Sequence, residues 1–319
     1  MTNLSPTIDR ADERAHHRLA ATLAGIGIDD FVAPRSREAV LNGLRLHYLD
    51  WGSDGHPPIL LLHGGGQTAR TWDLVALALR REYRCIALDQ RGHGDSEWSY
   101  GFAYGPEDHV GDILALLDEL KIERAIVVGM SMGCINGLHL AAHHPERVAA
   151  FVAVDAGPWV QMNGGRRIID FVADSSQHAG VLEEWVERAM RFNPRRDPRL
   201  LRRSLLHNLR RLPDGALTWK TDRRRPIDMK EMEVRLRALR QAVHRITCPT
   251  LVVRGGDSDV LSDEDAERFA RGLPDGRWVR IEGAGHTVQG DQPAALVREV
   301  RAFLAPLGAG ACLQGKTPR

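Results

Sequence analysis

The sequence predicts an α/β fold, a mostly parallel central sheet flanked by helices, with an inserted helical cap. Three observations carry this. Short continuous apolar runs recur from residue 58 onward, at Ile59–Leu62, Cys85–Leu88, Ala125–Val128, Val148–Val154, Leu251–Val253 and Trp278–Ile281. Helix-like stretches separate them, and strands that are apolar throughout and alternate with helices belong to a parallel sheet covered on both faces. Between Asp155 and Thr247 the alternation stops, and only amphipathic helical pieces remain, with no convincing strand.

In chain order, Ala11, Ala15, Leu19 and Leu23 repeat at helical spacing over 8–25 before a Gly-Ile-Gly break, which predicts an appended N-terminal helix. Ala39-Val40-Leu41 and the alternating Leu44–Leu49 flank Asn42-Gly43, the strongest short-range hairpin signal. Core helices are expected at about 72–81, 107–120, 131–144, 262–272 and 293–304, the fourth opened by a capping-box-like Ser-Asp-Glu-Asp. The inserted segment should hold helices around 166–174, 181–191, 198–210 and 229–243. The resulting division is an N-terminal extension over 1–35, a core over 36–157 and 246–306, a helical cap over 158–245, and a loose polar tail over 307–319.

The chain has 319 residues, 43% of them hydrophobic, with 43 Lys+Arg against 42 Asp+Glu. Such composition excludes a disordered, fibrous or disulfide-framework protein. The four cysteines (Cys85, Cys134, Cys248, Cys312) form no C-x-x-C pair, and reduced buried thiols are expected. The first residues soon become charged and contain no apolar stretch of signal-peptide length, and no run reaches membrane-spanning length. A cytoplasmic location without membrane association is the expectation.

Two motifs carry chemistry. Gly129-Met130-Ser131-Met132-Gly133 lies directly between a strand and a helix. A serine on so tight a turn needs small neighbours two residues to each side, and the turn lifts its hydroxyl to the top of the sheet while aiming the Met132 N–H at the same space. His63-Gly64-Gly65-Gly66 follows the strand Ile59–Leu62, where three glycines leave backbone amides unshielded for a developing oxyanion. Gly65 is the candidate for the second oxyanion donor.

With Asp89-Gln90-Arg91-Gly92-His93-Gly94-Asp95-Ser96 and Gly283-Ala284-Gly285-His286, these motifs resemble the α/β-hydrolase superfamily, in its order, over roughly residues 40–305. The resemblance implies a nucleophile Ser131, a general base His286 and an acid between them in the chain. After the strand Leu251–Val253, either Asp257 or Asp259 could reach His286. The family's placement before an apolar pair points to Asp259, followed by Val260-Leu261, and Asp155 is the remaining candidate because some relatives carry their acid there. His93 resembles part of a structural loop and receives no catalytic role.

The implied activity is hydrolysis of a carboxylic ester or lactone through an acyl-enzyme, with no metal or organic cofactor needed and with substrate and water as partners. A C–C bond hydrolase of a diketo acid, and a binding protein that keeps the fold without turnover, are the alternatives. His139 and His143 share a helix face at a spacing zinc accepts, but Leu140 stands where the zinc motif has Glu. Residues 158–245 carry 20 Lys+Arg against 11 Asp+Glu, a net +9, which leaves the rest of the chain at −8. A solvated helix face is the expected reading. The segment lacks the interleaved aromatics of a nucleic-acid surface, so no nucleic-acid partner is expected, and a homodimer is the assembly to test. Trp159, Phe171, Trp185, Met190 and Trp219 should pack the cap on the core, some of them walling a pocket.

Overall fold

A computed structural model describes residues 10–27, 31–52, 54–174, 181–224 and 229–308. The expected tail therefore lies outside the described residues from 309 onward, as do Cys312, Arg225 and residues 1–9 of the N-terminal extension.

Helix α1 (Arg10–Leu23) precedes the hairpin β1 (Arg35–Leu41) and β2 (Leu44–Asp50). The doubly wound part follows as β3 (Pro58–Leu62), α2 (Asp73–Leu79), β4 (Arg84–Leu88), α3 (Pro106–Glu119), β5 (Ala125–Met130), α4 (Met132–His143) and β6 (Val148–Val154). The insertion holds α5 (Met162–Asp174), α6 (Leu182–Phe192), α7 (Pro198–Asn208), β7 (Leu209–Arg211), β8 (Leu217–Trp219) and α8 (Met229–Ala242). The chain then returns through β9 (Thr250–Gly255), α9 (Asp263–Gly272), β10 (Gly276–Ile281), the single turn α10 (Val288–Asp291) and α11 (Pro293–Leu304).

The eight-stranded sheet has the order β1-β2-β4-β3-β5-β6-β9-β10. β2 runs antiparallel to both its neighbours, and every pairing from β4 to β10 is parallel. From β3 the chain winds first toward β4 and then back across to β5, so the carboxyl ends of β3 and β5 flank the point where open α/β sheets bind ligands.

Five of the six apolar runs are buried on both sides, as their lack of alternation requires; Trp278–Ile281, on the edge strand β10, is only partly covered, with Arg280 exposed. Leu60, Leu62 and Val127 join one cluster with Ile113 of α3, Leu138 of α4 and Phe269 of α9. Ile59, Leu61, Ile126 and Val128 join the other with Val75 of α2 and Leu296 and Val300 of α11. The period-2 alternation thus selects which helical layer each residue meets.

The insertion differs from expectation in one respect. Helix α7 stops at Asn208, and Leu209–Arg211 pairs antiparallel with Leu217–Trp219. Three-residue strands are too short to show periodicity, and the Asp214-Gly215 turn between them was the readable signal. The segment owns a small core in which Trp185, Leu201, Leu205, Leu209 and Trp219 pack with Phe171. Trp159 instead packs on the main cluster beside Phe269, their rings 6.3 Å apart, and Met190 is exposed.

Backbone and charge both fasten this segment to the sheet domain. Gly94 donates its amide to Lys220 O at 2.8 Å, and Asp222 donates to Gly92 O at 2.7 Å. On the other flank, Arg203 Nη2 of α7 lies 2.6 Å from Asp73 Oδ2 and 2.6 Å from His17 Nε2, while Arg70 Nη1 stands 3.6 Å from Asp73 and 3.1 Å from Glu13. Asp73, fully buried, thereby joins α1, α2 and α7, and these cations overcome the upward push of burial to hold its carboxyl below the usual range.

Removing one partner of a buried ionic group leaves the others desolvated and uncompensated. Asp73→Asn should therefore cost about 3 kcal/mol in urea denaturation, whereas a loss too small to measure would mean that the network stabilises nothing. Acid should weaken the fold through a different group. His93 packs on His63 with ring centroids 5.2 Å apart, and burial, with His63 adding to it, pushes His93 down to about 4. Because its folded value lies below the ordinary 6.5, the unfolded chain takes up this proton first. Stability should be level above pH 6.5 and fall on acidification toward pH 4, by about 3 kcal/mol from this residue. Denaturation midpoints across that range, compared with those of His93→Gln, check it.

Candidate active site

Ser131 stands between β5 and α4 at φ 52°, ψ −117°, outside the regions that L-residues ordinarily occupy. The glycines flanking it are demanded by contact. A Cβ on Gly129 would lie 2.4 Å from Gly133 O, and one on Gly133 would lie 2.3 Å from Leu62 O. The turn thus brings the end of β5, the start of α4 and the end of β3 to backbone contact. Met132, the first residue of α4, has no intrahelical acceptor for its N–H.

The loop after β3 is pinned by its own histidine. His63, completely buried, accepts the Gln90 amide at Nε2 (3.0 Å), so Nδ1 carries the proton given to Gly64 O at 2.8 Å. Gln90 Nε2 donates to His63 O at 2.7 Å, and Asn136 Nδ2 to Gln90 Oε1 at 2.7 Å. The amide of Gly64 is engaged by Gln67 Oε1 at 3.1 Å, which leaves Gly65 as the next amide along the loop. A Cβ on Gly64 would fall 3.1 Å from Ser131 Cβ, so this loop borders the serine.

His286 lies on the turn after β10, 10% exposed at its side chain, and its Nδ1 is 2.8 Å from Asp155 Oδ2. Asp155 directly follows β6, with a φ of 47° and no exposed surface. Its Oδ1 accepts the Gly255 amide at 2.8 Å, and its Oδ2 also accepts the Ser258 hydroxyl.

The expected pairing of Asp259 with His286 is not formed. Asp259 turns outward, half exposed, to Arg167 of α5 at 2.8 Å, and Asp257 pairs with Arg195 at 2.6 Å. Val260 and Leu261 do tuck into the core. That tuck sets the phase of the turn so that Ser258 points inward and its two neighbours point out. Asp155 was the third candidate. Its signal, an aspartate directly after an apolar strand, was readable but stood behind the two loop aspartates, because the sequence does not show what faces it.

The remaining candidate groups are engaged elsewhere. His139 and His143 stack with centroids 5.6 Å apart, and His143 Nδ1 bonds His139 O at 2.9 Å. Among the described residues, His47, Asp89 and Asp95 gather donor atoms within 4.8 Å of one another. They border a polar cavity of about 200 Å³ shared with Arg70, His207 and Lys220. There His47 Nδ1 is 2.7 Å from Asp89, its Nε2 is 2.8 Å from Ser36 Oγ, and Lys220 Nζ is 2.8 Å from Asp95. A cation would have to displace a lysine already in place.

A family model for the alpha/beta hydrolase fold matches residues 57–293. Esterase Rv0045c of Mycobacterium tuberculosis is 31% identical over 296 residues, covering 87% of this chain and 96% of the relative. Its crystal structure superposes with a TM-score of 0.75 over 94% of this chain and 100% of that one. The 2-(acetamidomethylene)succinate hydrolase of Mesorhizobium japonicum is 27% identical over 292 residues, 88% of this chain and 98% of the relative. A solved structure of E-2-(acetamidomethylene)succinate hydrolase gives a TM-score of 0.74 at 25% identity, over 85% of this chain and 99% of that one. The sheet order, the elbow serine between strand and helix, and the match over most of the chain agree: the chain belongs to the α/β-hydrolase family and is a hydrolase.

Proposed function

We propose that the chain is a serine hydrolase of carboxylic esters or lactones, working through an acyl-enzyme with Ser131 as nucleophile, His286 as general base and Asp155 as the acid of the triad. The observation that carries this reading is the 2.8 Å contact of His286 Nδ1 with the buried Asp155 carboxylate, at the carboxyl end of the sheet where β6 adjoins β5, the strand that leads into Ser131. With Nδ1 engaged, Nε2 is the nitrogen left to take the Ser131 proton as the hydroxyl attacks the acyl carbonyl. Asp155 fixes the tautomer and stabilises the imidazolium, and the amides of Met132 and Gly65 receive the oxyanion. Water activated by His286 then releases the acid.

The relatives named as an esterase and as a hydrolase support the class, and the ester or lactone is this chain's own assignment. Residues 158–245 act as a cap over the site. Its basic character argues less for an anionic substrate than composition suggested, because several of its arginines are engaged by acids of the core. No described helix is long and apolar enough to cross a membrane. Three buried free thiols, Cys85, Cys134 and Cys248, all pushed up by burial, suit a reducing cytoplasm.

A fluorophosphonate should label the protein stoichiometrically at Ser131, and Ser131→Ala should stay unlabelled in intact-mass spectrometry. A wild-type protein that resists labelling would favour a binding protein that has lost turnover. With p-nitrophenyl acetate, Asp155→Asn should lower kcat by about 10⁴, as in the best-studied triad. Asp259→Asn should stay within about threefold, since an exposed ion pair is worth little. The opposite ranking would return the acid to the loop after β9.

A further inference from the structure

The loop after β9 offers no carboxylate to His286, yet it is built as carefully as the site itself. Arg254, at the end of β9 and largely buried, donates from Nη1 to Gly256 O, from Nε to Leu261 O at 3.0 Å and from Nη2 to Ser258 O at 3.4 Å. The Ser258 amide closes a turn onto Gly255 O at 2.9 Å. Gln161 donates to Val260 O at 2.7 Å, and Gly164 packs so closely that a Cβ there would lie 2.1 Å from Asp259 O. One guanidinium and the start of the insertion thus hold a short turn rigid, and at its centre stands Ser258, 9% exposed.

The direction of the Ser258 hydroxyl follows from its partners. Its Oγ accepts the Val260 N–H at 3.1 Å, and its own proton goes to Asp155 Oδ2, the oxygen that also meets His286 Nδ1. A serine hydroxyl has one proton to give, and a carboxylate has none, so this donation is fixed. With the Gly255 amide on Oδ1, both oxygens of Asp155 are held from the β9 side. A free carboxylate rotates about its bond to Cβ. This one is held on both oxygens, in the orientation that meets His286.

We propose that Ser258 is a positioning residue of the triad, a hydroxyl that orients Asp155 and draws off part of its charge. This rests on the assignment of Ser131, His286 and Asp155 given above. The residue touches neither substrate nor reacting atoms and acts through Asp155. Without the hydroxyl, Asp155 should be less well aimed and its charge should fall more fully on His286. Turnover then drops while ground-state binding stays as it was.

Ser258→Ala, Ser258→Cys and Ser258→Thr are compared with the wild type on p-nitrophenyl acetate, with melting temperature as the check on folding. The Ala and Cys variants, one lacking a donor and the other a poor one of similar volume, should lose roughly ten- to a hundredfold in kcat at nearly unchanged KM, the range expected for a hydrogen bond to a charged group. In both, the acid limb of the kcat/KM profile should move to higher pH. Ser258→Thr, which keeps the hydroxyl, should retain the wild-type limb and most of the turnover. If Ser258→Ala does not fold, the Cys variant carries the test. Wild-type kcat and pH profile in a folded Ala or Cys variant would overturn the proposal while Ser131→Ala remains inactive, leaving the hydrolase assignment standing. A wild-type enzyme unlabelled by fluorophosphonate and without turnover would remove both.

Discussion

Three backbones in contact at one point decide what the rest of this molecule must be. The Gly129 and Gly133 contacts leave no room for a side chain between the end of β5, the first turn of α4 and the end of β3. That closeness holds Ser131 at a φ of 52°, a conformation serine adopts only where its surroundings compel it. The compulsion comes from the parallel pairing of β3 with β5 and from the packing of α4 against the sheet, so the two apolar layers ultimately meet the cost of one strained residue. The same contact brings the loop after β3 beside the serine, so the backbone amides of that loop and the Ser131 hydroxyl occupy one place without any residue being recruited from afar.

Sheet order then governs which carboxylate meets His286. β6 lies between β5 and β9, one strand from the serine, while β9 lies two strands away. Neighbouring strands stand about 4.8 Å apart, so a carboxylate at the end of β6 starts a full strand nearer the serine than one at the end of β9. Placing it there buries it completely, and a buried carboxylate needs donors. The end of β9 and the loop after it supply them, a backbone amide from Gly255 and a hydroxyl from Ser258. The two loops exchange the roles that the sequence motif suggested: one carries the charge, and the other satisfies it.

Much of this is legible in the sequence alone. All six apolar runs are strands, each core helix lies within a residue or two of its expected bounds, and the Asn42-Gly43 hairpin has the register its turn demands. Long periodic elements announce themselves because each residue repeats the same evidence. The pairing of His286 was not legible, for a physical reason. In Asp257-Ser258-Asp259 the side chains alternate between core and solvent, and residue type alone does not say which phase the turn adopts. The answer is set by the direction in which Val260 and Leu261 bury themselves and by Arg254 gathering the loop's carbonyls, contacts that a pattern of residue types does not display. The short pair β7–β8 was missed for the related reason that three residues cannot display a period.

The near-zero net charge has its account in the same contacts. A segment at +9 inserted into a remainder at −8 could present a cationic surface to a ligand, or could use its charge on its own host. Arg203 on Asp73, Lys220 on Asp95, Arg196 toward Asp291, Arg195 on Asp257 and Arg167 on Asp259 all run across that boundary. The exposed pairs among them contribute little to stability individually, yet opposite charge spread over two faces selects the orientation in which those faces meet. Two of these pairs bracket Ser258, and a third, Asp291, also accepts the Gly285 amide at 3.0 Å beside His286. The polarity that composition concealed is thus a docking code, and the surfaces it brings together are the ones that hold Asp155 and His286 in place.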